Sequence, residues 1–442
     1  MAQREFSKYQ WIVAMVMISI MAFFIAGCAK PKGTGRFASG EVLVQFKEGL
    51  SQQKINDIIS SVNARVKDII KQQNVYVLSF PKNVSPIKMS EHLKTIEGVK
   101  WAEPNYLQEI FFFPVSEAYA EEYDIGIPTP SPSAKLVIVA VIDTGVNAGN
   151  PALTGKVIEG YNFYNNTTDA SGSAKGTGWH GTAVAGEVIN GSGGANIQIM
   201  PLQVNDGESR YLSSSAILKA IYYAADNGAS VINMSFGTTA YSPLMQQAID
   251  YATSKGVIMV AAAGNNGSNG LYYPAAYNNV IAVGATNAQG VLAGFSNYGS
   301  YIDLIAPGWN SKVLAYNGGE MTANGTSFAS PFIAGIAALL KSYFPKLLPN
   351  EIEAELKALA QNKDGLNPFK AGMLGAGFLG FEEVARLAKA LKDGVYRLAS
   401  KLGLGERTAS GLSGGSGERW LIRGKAHQGT YIITPDGELI KK

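Results

Sequence analysis

Two patterns of apolar and polar positions divide the chain. Between residues 40 and 110 the periodic segments are short and mixed. Glu41-Val-Leu-Val-Gln-Phe46 predicts a strand, and residues 51–70 carry apolar side chains at helical spacing, at Ile55, Ile58, Ile59, Val62, Val66 and Ile69. Residues 75–80 predict a second strand, 85–98 a second helix and 100–106 a last extended piece. This β-α-β-α-β order suits a small α+β module of split βαβ type. Periodicity is lost from residue 107 to 135, a stretch that contains the stiff run Pro128-Thr-Pro-Ser-Pro-Ser133; residues 111–135 are expected to form a linker.

From Leu136 the pattern changes. Leu136-Val-Ile-Val-Ala-Val-Ile142 is apolar throughout, as befits a strand covered on both faces. Residues 231–234, 257–263 and 280–283 repeat the theme, with helical stretches at 213–227 and 241–255 between them. Strands alternating with helices predict a mostly parallel sheet in a three-layer α/β domain over residues 136–392, completed by helices at 326–344 and 349–361. Residues 393–442 contain a glycine-serine stretch at 410–417 and a strand-like end with a Pro435-Asp-Gly turn, to which the sequence assigns no role.

Composition narrows the classes. A chain of 442 residues has room for two or three domains, and 46% hydrophobic against 16% charged residues excludes a mostly disordered protein. Lys and Arg number 37 against 34 Asp and Glu, a balance that offers nothing to nucleic acid or to a polybasic membrane site. One cysteine excludes an internal disulfide and a thiolate zinc site, and three histidines leave little for a histidine metal cluster.

The first residues bear on location. Arg4 and Lys8 precede an uncharged stretch from 11 to 27, the pattern of a signal peptide over residues 1–27; a retained membrane helix is the alternative. Ile25-Ala26-Gly27-Cys28 resembles the bacterial lipobox, and Cys28 is the one cysteine of the chain. The resemblance implies a lipid-modified Cys28, with residues 28–39 as anchor and spacer, held in the cell envelope outside the cytoplasm. Ala29 favours the outer membrane, where the cell has one, or else the cell surface.

Four short motifs carry chemistry. Asp143 ends an apolar strand in Val141-Ile-Asp-Thr-Gly-Val146, and Asn265 ends another in Ala261-Ala-Ala-Gly-Asn265. Open α/β sheets place their ligands at such strand ends. His180 opens a helix in Gly178-Trp-His-Gly-Thr-Ala-Val-Ala-Gly186, and Ser327 opens the long apolar helix in Gly325-Thr-Ser-Phe-Ala-Ser-Pro331. The order Asp, His, Asn, Ser over one domain resembles the subtilisin-like serine proteases, from about residue 136 to 392. Gly-Thr-Ser-x-Ala-x-Pro is specific by itself; Asp-Thr-Gly also marks many plain turns. A competing Gly-x-Ser-x-Gly match, Gly411-Leu-Ser-Gly-Gly415, has neither the strand before it nor the helix behind it that this motif requires.

The resemblance implies a fold and a set of roles. The fold is a subtilisin-like three-layer domain behind a small ferredoxin-like prodomain at residues 40–110. Ser327 would be the nucleophile, His180 its base, Asp143 the orienting carboxylate and Asn265 the oxyanion donor. The positions of His92 in the leading module and His427 in the tail support His180 in that implied role. Ser235-Phe236-Gly237 would pair with extended substrate, Ala262, Ala263 and Gly264 would form a second wall of the primary pocket, and Tyr272 would shorten it. No cofactor is required. The segments that build the family's tightest calcium site are missing here, so calcium there is doubtful, and residues 162–169 are a weak substitute. Phe328 stands where the family often has methionine. The leading module, ending in Ala102-Glu-Pro-Asn-Tyr106, resembles the inhibitory prodomain of these proteases. The implied partners are protein or peptide substrates, the chain's own prodomain and a membrane through Cys28, with no nucleic acid. A cut in residues 107–135 would part the catalytic domain from its lipid. A catalytically silent peptide-binding relative and a narrow processing protease are the competing readings.

Overall fold

The computed structural model describes residues 35–110, 112–114, 134–360 and 377–392, together with two short strands at 431–433 and 439–441. The expected signal peptide, Cys28, the proline run at 128–133 and the Gly411–Gly415 motif lie outside the described residues.

The leading module is a β-α-β-β-α-β unit: β1 (Phe37–Phe46), α1 (Gln52–Ser61), β2 (Arg65–Ile70), β3 (Val75–Ser79), α2 (Pro86–Lys94) and β4 (Val99–Glu109). Its antiparallel sheet runs in the order β2-β3-β1-β4. The Ser51 side chain caps α1 by accepting from the Lys54 amide, and Ser85 caps α2 in the same way. The helix expected over 51–70 is a helix only to Ser61. Asn63 adopts a left-handed φ of 51°, which stops it, and residues 65–70 form an edge strand on which Val66 and Ile69 stay 45% and 39% exposed. The pairing of β2 with β3 shifts register between Val66 and Asp68, and the helical spacing of Val66 and Ile69 is a coincidence.

Strand alternation explains why Val42-Leu-Val44 in β1 is apolar on successive residues. Val42, Val44 and Phe46 pack with Ile55, Ile59, Tyr76, Leu78 and Leu93 inside the module. Leu43, with Ile70, Val75 and Val77, faces the other way into a core shared with Ala216, Ile217 and Leu244 of the larger domain. The module's sheet is therefore sandwiched between its own helices and those of its neighbour. The extended chain does not end near Tyr106 as expected; β4 continues to Glu109.

The remaining elements follow as β5 (Phe113–Pro114), β6 (Val137–Asp143), β7 (Tyr161–Asn162), α3 (His180–Gly191), β8 (Ile197–Gln203), β9 (Tyr211–Ser213), α4 (Ser214–Asp226), β10 (Ala229–Met234) and α5 (Pro243–Ser254). Then come β11 (Ile258–Ala262), β12 (Val280–Thr286), β13 (Leu304–Pro307), β14 (Ser311–Leu314), β15 (Glu320–Asn324), α6 (Thr326–Tyr343), α7 (Pro349–Leu359), β16 (Gly377–Phe378) and α8 (Phe381–Lys392). Eight strands form one parallel sheet in the order β16-β13-β12-β11-β10-β6-β8-β7. Val137, Val139 and Val141 of β6 face Val184 of α3 and Phe332 and Ile333 of α6. Ala140 and Ile142 face Ile217 and Leu218 of α4 and Leu244 of α5. Both faces are thus covered, the three-layer α/β arrangement read from the sequence. The chain leaves β6 for β8 on one side and returns to β10 on the other, so the sheet's order reverses at Asp143. Separately, β17 (Tyr431–Ile433) and β18 (Leu439–Lys441) pair antiparallel. Among the described residues no helix is long and apolar enough to cross a membrane.

Candidate active site

Asp143 is the last residue of β6 and is fully buried. Its Oδ1 accepts from the Thr144 amide at 2.7 Å, which fixes the carboxylate plane. The two carboxylate oxygens lie 2.9 and 3.1 Å from His180 Nδ1. Thr144 stitches the two loops together, its hydroxyl donating to the Gly178 carbonyl at 3.1 Å and accepting from the Gly181 amide at 3.0 Å. Gly181 is required by closeness: a Cβ there would lie 2.2 Å from the Gly145 carbonyl oxygen. The start of α3 can therefore sit against the Asp143 loop.

His180 is buried among aromatic rings, with Phe112 stacked at 5.5 Å, Phe328 at 5.6 Å and Trp179 at 6.0 Å between centroids. Nδ1 faces Asp143, and Nε2 has no hydrogen-bond partner. An imidazole held this way keeps its proton on Nδ1 and presents a basic nitrogen on the far side.

Ser327 is the second residue of α6. Its hydroxyl donates to the Ser235 carbonyl at 3.2 Å, while the Ser235 hydroxyl donates back to the Ser327 carbonyl at 2.8 Å. The return bond has a cause in the sequence. Pro331, one helical turn on, lacks the N–H that would otherwise bond the Ser327 carbonyl, and Ser235 supplies the missing donor. Ser235 Oγ also lies 2.9 Å from Asn233 Nδ2 and 3.1 Å from Ser330 Oγ. Its side chain therefore ties the end of β10 to α6, a role the sequence reading did not give it.

Asn265 is oriented from one side. Its Oδ1 accepts from the Thr326 amide and the Thr326 hydroxyl, both at 2.8 Å. With the oxygen so occupied, the Nδ2 group points away from Thr326. Thr326 is a second residue that the sequence reading missed. The signal was there in Gly-Thr-Ser, but a threonine beside a serine shows no function until its partner, sixty residues away, is in place.

The expected substrate residues come together on two walls. Phe236 turns its ring into the core, leaving the backbone of Ser235 and Gly237 to line the cleft. The Ala263 carbonyl accepts from Asn297 Nδ2 at 2.9 Å and from the Tyr301 hydroxyl at 3.1 Å, which holds the second wall of Ala262, Ala263 and Gly264. Tyr272 is buried, and its ring bridges both walls: a Cβ on Gly237 would meet its Cε1 at 2.2 Å, and one on Gly264 its Cδ1 at 2.8 Å. Burial raises its phenol pKa above the ordinary value, and the Glu109 carboxylate raises it further.

The cleft between β9 and Gly237 is filled by the leading module itself. Leu107, Gln108 and Glu109 of β4 pair antiparallel with Ser213, Leu212 and Tyr211. Glu109 also exchanges backbone hydrogen bonds with Gly237, at 2.8 and 3.0 Å, and its carboxylate lies 3.0 Å from Arg210 Nε. The module docks on the two helices behind the cleft as well. Asn105 Oδ1 accepts from the Ser215 amide in the first turn of α4, and Glu103 accepts from the hydroxyl of Ser242, the N-cap of α5.

In residues 162–169, the weak substitute for the family's calcium site, the side-chain oxygens are already engaged. Asn162 Oδ1 accepts from the amides of Tyr164 and Asn165, and Asp169 Oδ1 from that of Ser171, so these oxygens serve their own turn. Among the described residues no group of three or more His, Cys, Asp or Glu is placed to hold a metal.

A model of the subtilase family matches residues 134–377, more than half of the chain. The chain is a subtilase. A model of the fervidolysin N-terminal prodomain matches residues 25–105, so this subtilase carries a prodomain ahead of its catalytic domain. It is 37% identical over 334 residues to the thermophilic serine proteinase of Bacillus sp. (strain AK1), covering 70% of this chain and 79% of that one. It is 29% identical over 398 residues to fervidolysin of Fervidobacterium pennivorans, covering 75% of this chain but 56% of the relative. The crystal structure of fervidolysin, described as a keratinolytic enzyme related to subtilisin, aligns with a TM-score of 0.64 at 27% identity, over 80% of this chain and 62% of that one. The subtilase is accordingly a serine endopeptidase made with a prodomain.

Proposed function

We propose that this subtilase hydrolyses peptide bonds of extended chains with Ser327 as nucleophile, His180 as base and acid, and Asp143 as the group that orients the imidazole. The observation that carries this is the direction of the His180 ring: Nδ1 is held by a buried carboxylate, and unpartnered Nε2 is open to take a proton. Ser327 Oγ attacks the carbonyl carbon while its proton passes to Nε2. The same proton then goes to the departing amine as the C–N bond breaks, and water hydrolyses the ester. Asn265 Nδ2, turned outward by Thr326, donates to the oxyanion.

The substrate would add a strand between Tyr211–Ser213 and Ser235–Gly237, as β4 does. Tyr272, lying across the pocket walls, would favour small side chains before the cleaved bond. The protein is made as a zymogen anchored by lipid on Cys28, on the far side of the prodomain in sequence from the active site, so maturation releases a soluble catalytic domain. Ser327→Ala should abolish casein hydrolysis, with losses on the order of 10⁵-fold, while leaving the fold intact. Cell fractionation tests the anchor: the Ser327→Ala protein should stay whole in the membrane pool, and Cys28→Ala should move it out. Equal casein hydrolysis by the Ser327→Ala protein would contradict the mechanism.

A further inference from the structure

The prodomain strand shows which features of an extended chain the cleft reads. Glu109 donates its amide to the Gly237 carbonyl at 2.8 Å and accepts the Gly237 amide at 3.0 Å. On its other edge it lies opposite Tyr211 of β9, and the next amide, of Ile110, donates to the Arg210 carbonyl at 3.0 Å. The backbone of Glu109 is therefore fixed from both sides before its side chain makes any contact. Residues directly opposite on antiparallel strands carry their side chains on the same face. A Cβ on Gly237 would meet the Tyr272 ring at 2.2 Å, so the Glu109 side chain stands on the face of the ladder that holds that ring. Gly237 brings no side chain to meet it. The contact comes from Arg210 instead, whose Nε lies 3.0 Å from Glu109 Oε1. The Tyr272 phenol registers both charges, Glu109 raising its pKa and Arg210 lowering it.

Arg210 follows a stiff turn. Asp206 Oδ1 accepts from the Glu208 and Ser209 amides at 2.9 and 2.6 Å, and Asn205 Oδ1 from the Gly207 amide at 2.9 Å. Ser209 Oγ accepts from the Tyr211 amide at 3.0 Å. The Asp206 carboxylate is engaged within its own turn, and the Arg210 guanidinium at the turn's end meets the strand that fills the cleft.

We propose that Arg210 selects substrates with an acidic side chain at the residue that pairs with Gly237, Glu109 being the prodomain's likeness of that residue. The inference rests on the proposed addition of substrate as a strand, and extends it from backbone to side chain. A substrate carboxylate takes the place of Glu109 when the prodomain leaves. The pair is part exposed, at 44% for Arg210 and 22% for Glu109, so screening by water keeps the effect modest. The ladder holds the backbone of every substrate alike, which leaves only side-chain rotamers to be ordered. A preference of about two- to fivefold for Glu over Gln follows, and about tenfold for Glu over Lys, where attraction gives way to repulsion. Salt should shrink both.

The experiment sets pairs of peptides in competition in one tube, with the full chain expressed and left to mature. The product ratio then reports the ratio of kcat/KM, whatever fraction of the enzyme is active. Glu, Gln and Lys are placed in turn at each position from the second to the fifth before the cleaved bond. One position should favour Glu by these factors at low salt. Arg210→Gln should bring Glu and Gln level there, and Arg210→Glu should reverse the order so that Lys leads. Methylating the peptide nitrogen at that position removes its bond to the Gly237 carbonyl and should slow cleavage several-fold, whatever the side chain. No preference for Glu at any position, or one that survives Arg210→Gln, overturns the inference. The ion pair is then a latch for the prodomain only, and the protease reading stands. A Glu preference at a position where methylation has no effect also overturns it, because the carboxylate is then read away from the ladder. If no peptide is cut, the roles of Ser327 and His180 fall first and the inference falls with them.

Discussion

Glu109 and Gly237 exchange both of their backbone hydrogen bonds, so the last strand of the prodomain occupies the place where an extended substrate would pair. On the proposed reading, inhibitor and substrate compete for one ladder. What distinguishes the prodomain is the rest of its contact, a whole sheet face packed on α4 and α5 through Leu43, Val75 and Val77. Once cut, it should leave slowly for that reason. Conditions that loosen the sheet face should speed its release.

Glu103 is a buried carboxyl at this interface that is expected to respond to pH. Burial pushes its carboxyl up to about 7, against the opposing effects of hydrogen bonds from Ser242 and Trp101 and of the Lys94 ammonium. The tyrosines 106 and 277 also feel its charge. A carboxyl raised above its ordinary 4.5 favours the docked state fully below that value, and the advantage is lost as pH rises through about 7. Inhibition by the cut prodomain should therefore be stronger at pH 5 than at pH 8, on the order of a hundredfold. Glu103→Gln should flatten the profile. Inhibition constants measured across this range provide the check, and a flat profile in the parent protein would contradict it.

Ser235 should matter for both stability and rate. Ser235→Ala leaves the Ser327 carbonyl without the donor that Pro331 cannot provide, in a fully buried setting. Thermal unfolding should show a loss of about 1–3 kcal/mol. The nucleophile's turn should loosen too, lowering kcat about tenfold to a hundredfold with KM little changed.

Tyr272→Gly should open the primary pocket, since the tyrosine ring bridges Gly237 and Gly264. Cleavage after Phe and Leu should rise about tenfold or more relative to cleavage after Ala. A peptide series that varies only this position measures it; an unchanged ranking would show that the ring does not form the floor.

Phe328 is fully buried beside His180, where a thioether would be open to oxidation at the reacting centre. Activity should survive dilute peroxide that inactivates a Phe328→Met variant within the same interval. Residual activity against time distinguishes the two, and equal decay would contradict the expectation.

The four candidate residues stand out in the sequence because acyl transfer restricts both residue type and chain order, and because apolar strands ending in Asp143 and Asn265 announce a parallel sheet with its ligands at one end. Thr144, Thr326 and the side-chain role of Ser235 were not legible. Each acts by a hydrogen bond to a loop far away in sequence, and a hydroxyl carries no sign of its partner. Pro331 was a clue of a different kind, since a proline in a helix always leaves one carbonyl to be satisfied. The segment at 65–70 misled because Val66 and Ile69 extend a helical spacing by accident, while Asn63, a residue suited to left-handed backbone, marked the true end. The prodomain's place in the cleft was implied by the resemblance, but its pairing was not legible from the residues, since β4 and β9 join segments a hundred residues apart.

The central claim is that Ser327 is the nucleophile and His180 its base. A fluorophosphonate probe applied to the processed protein, with the adduct located by peptide mass, tests it most directly. One adduct should form, on Ser327, and be absent from the Ser327→Ala and His180→Ala proteins. An unlabelled parent protein, or an adduct on another serine such as Ser413, would contradict it.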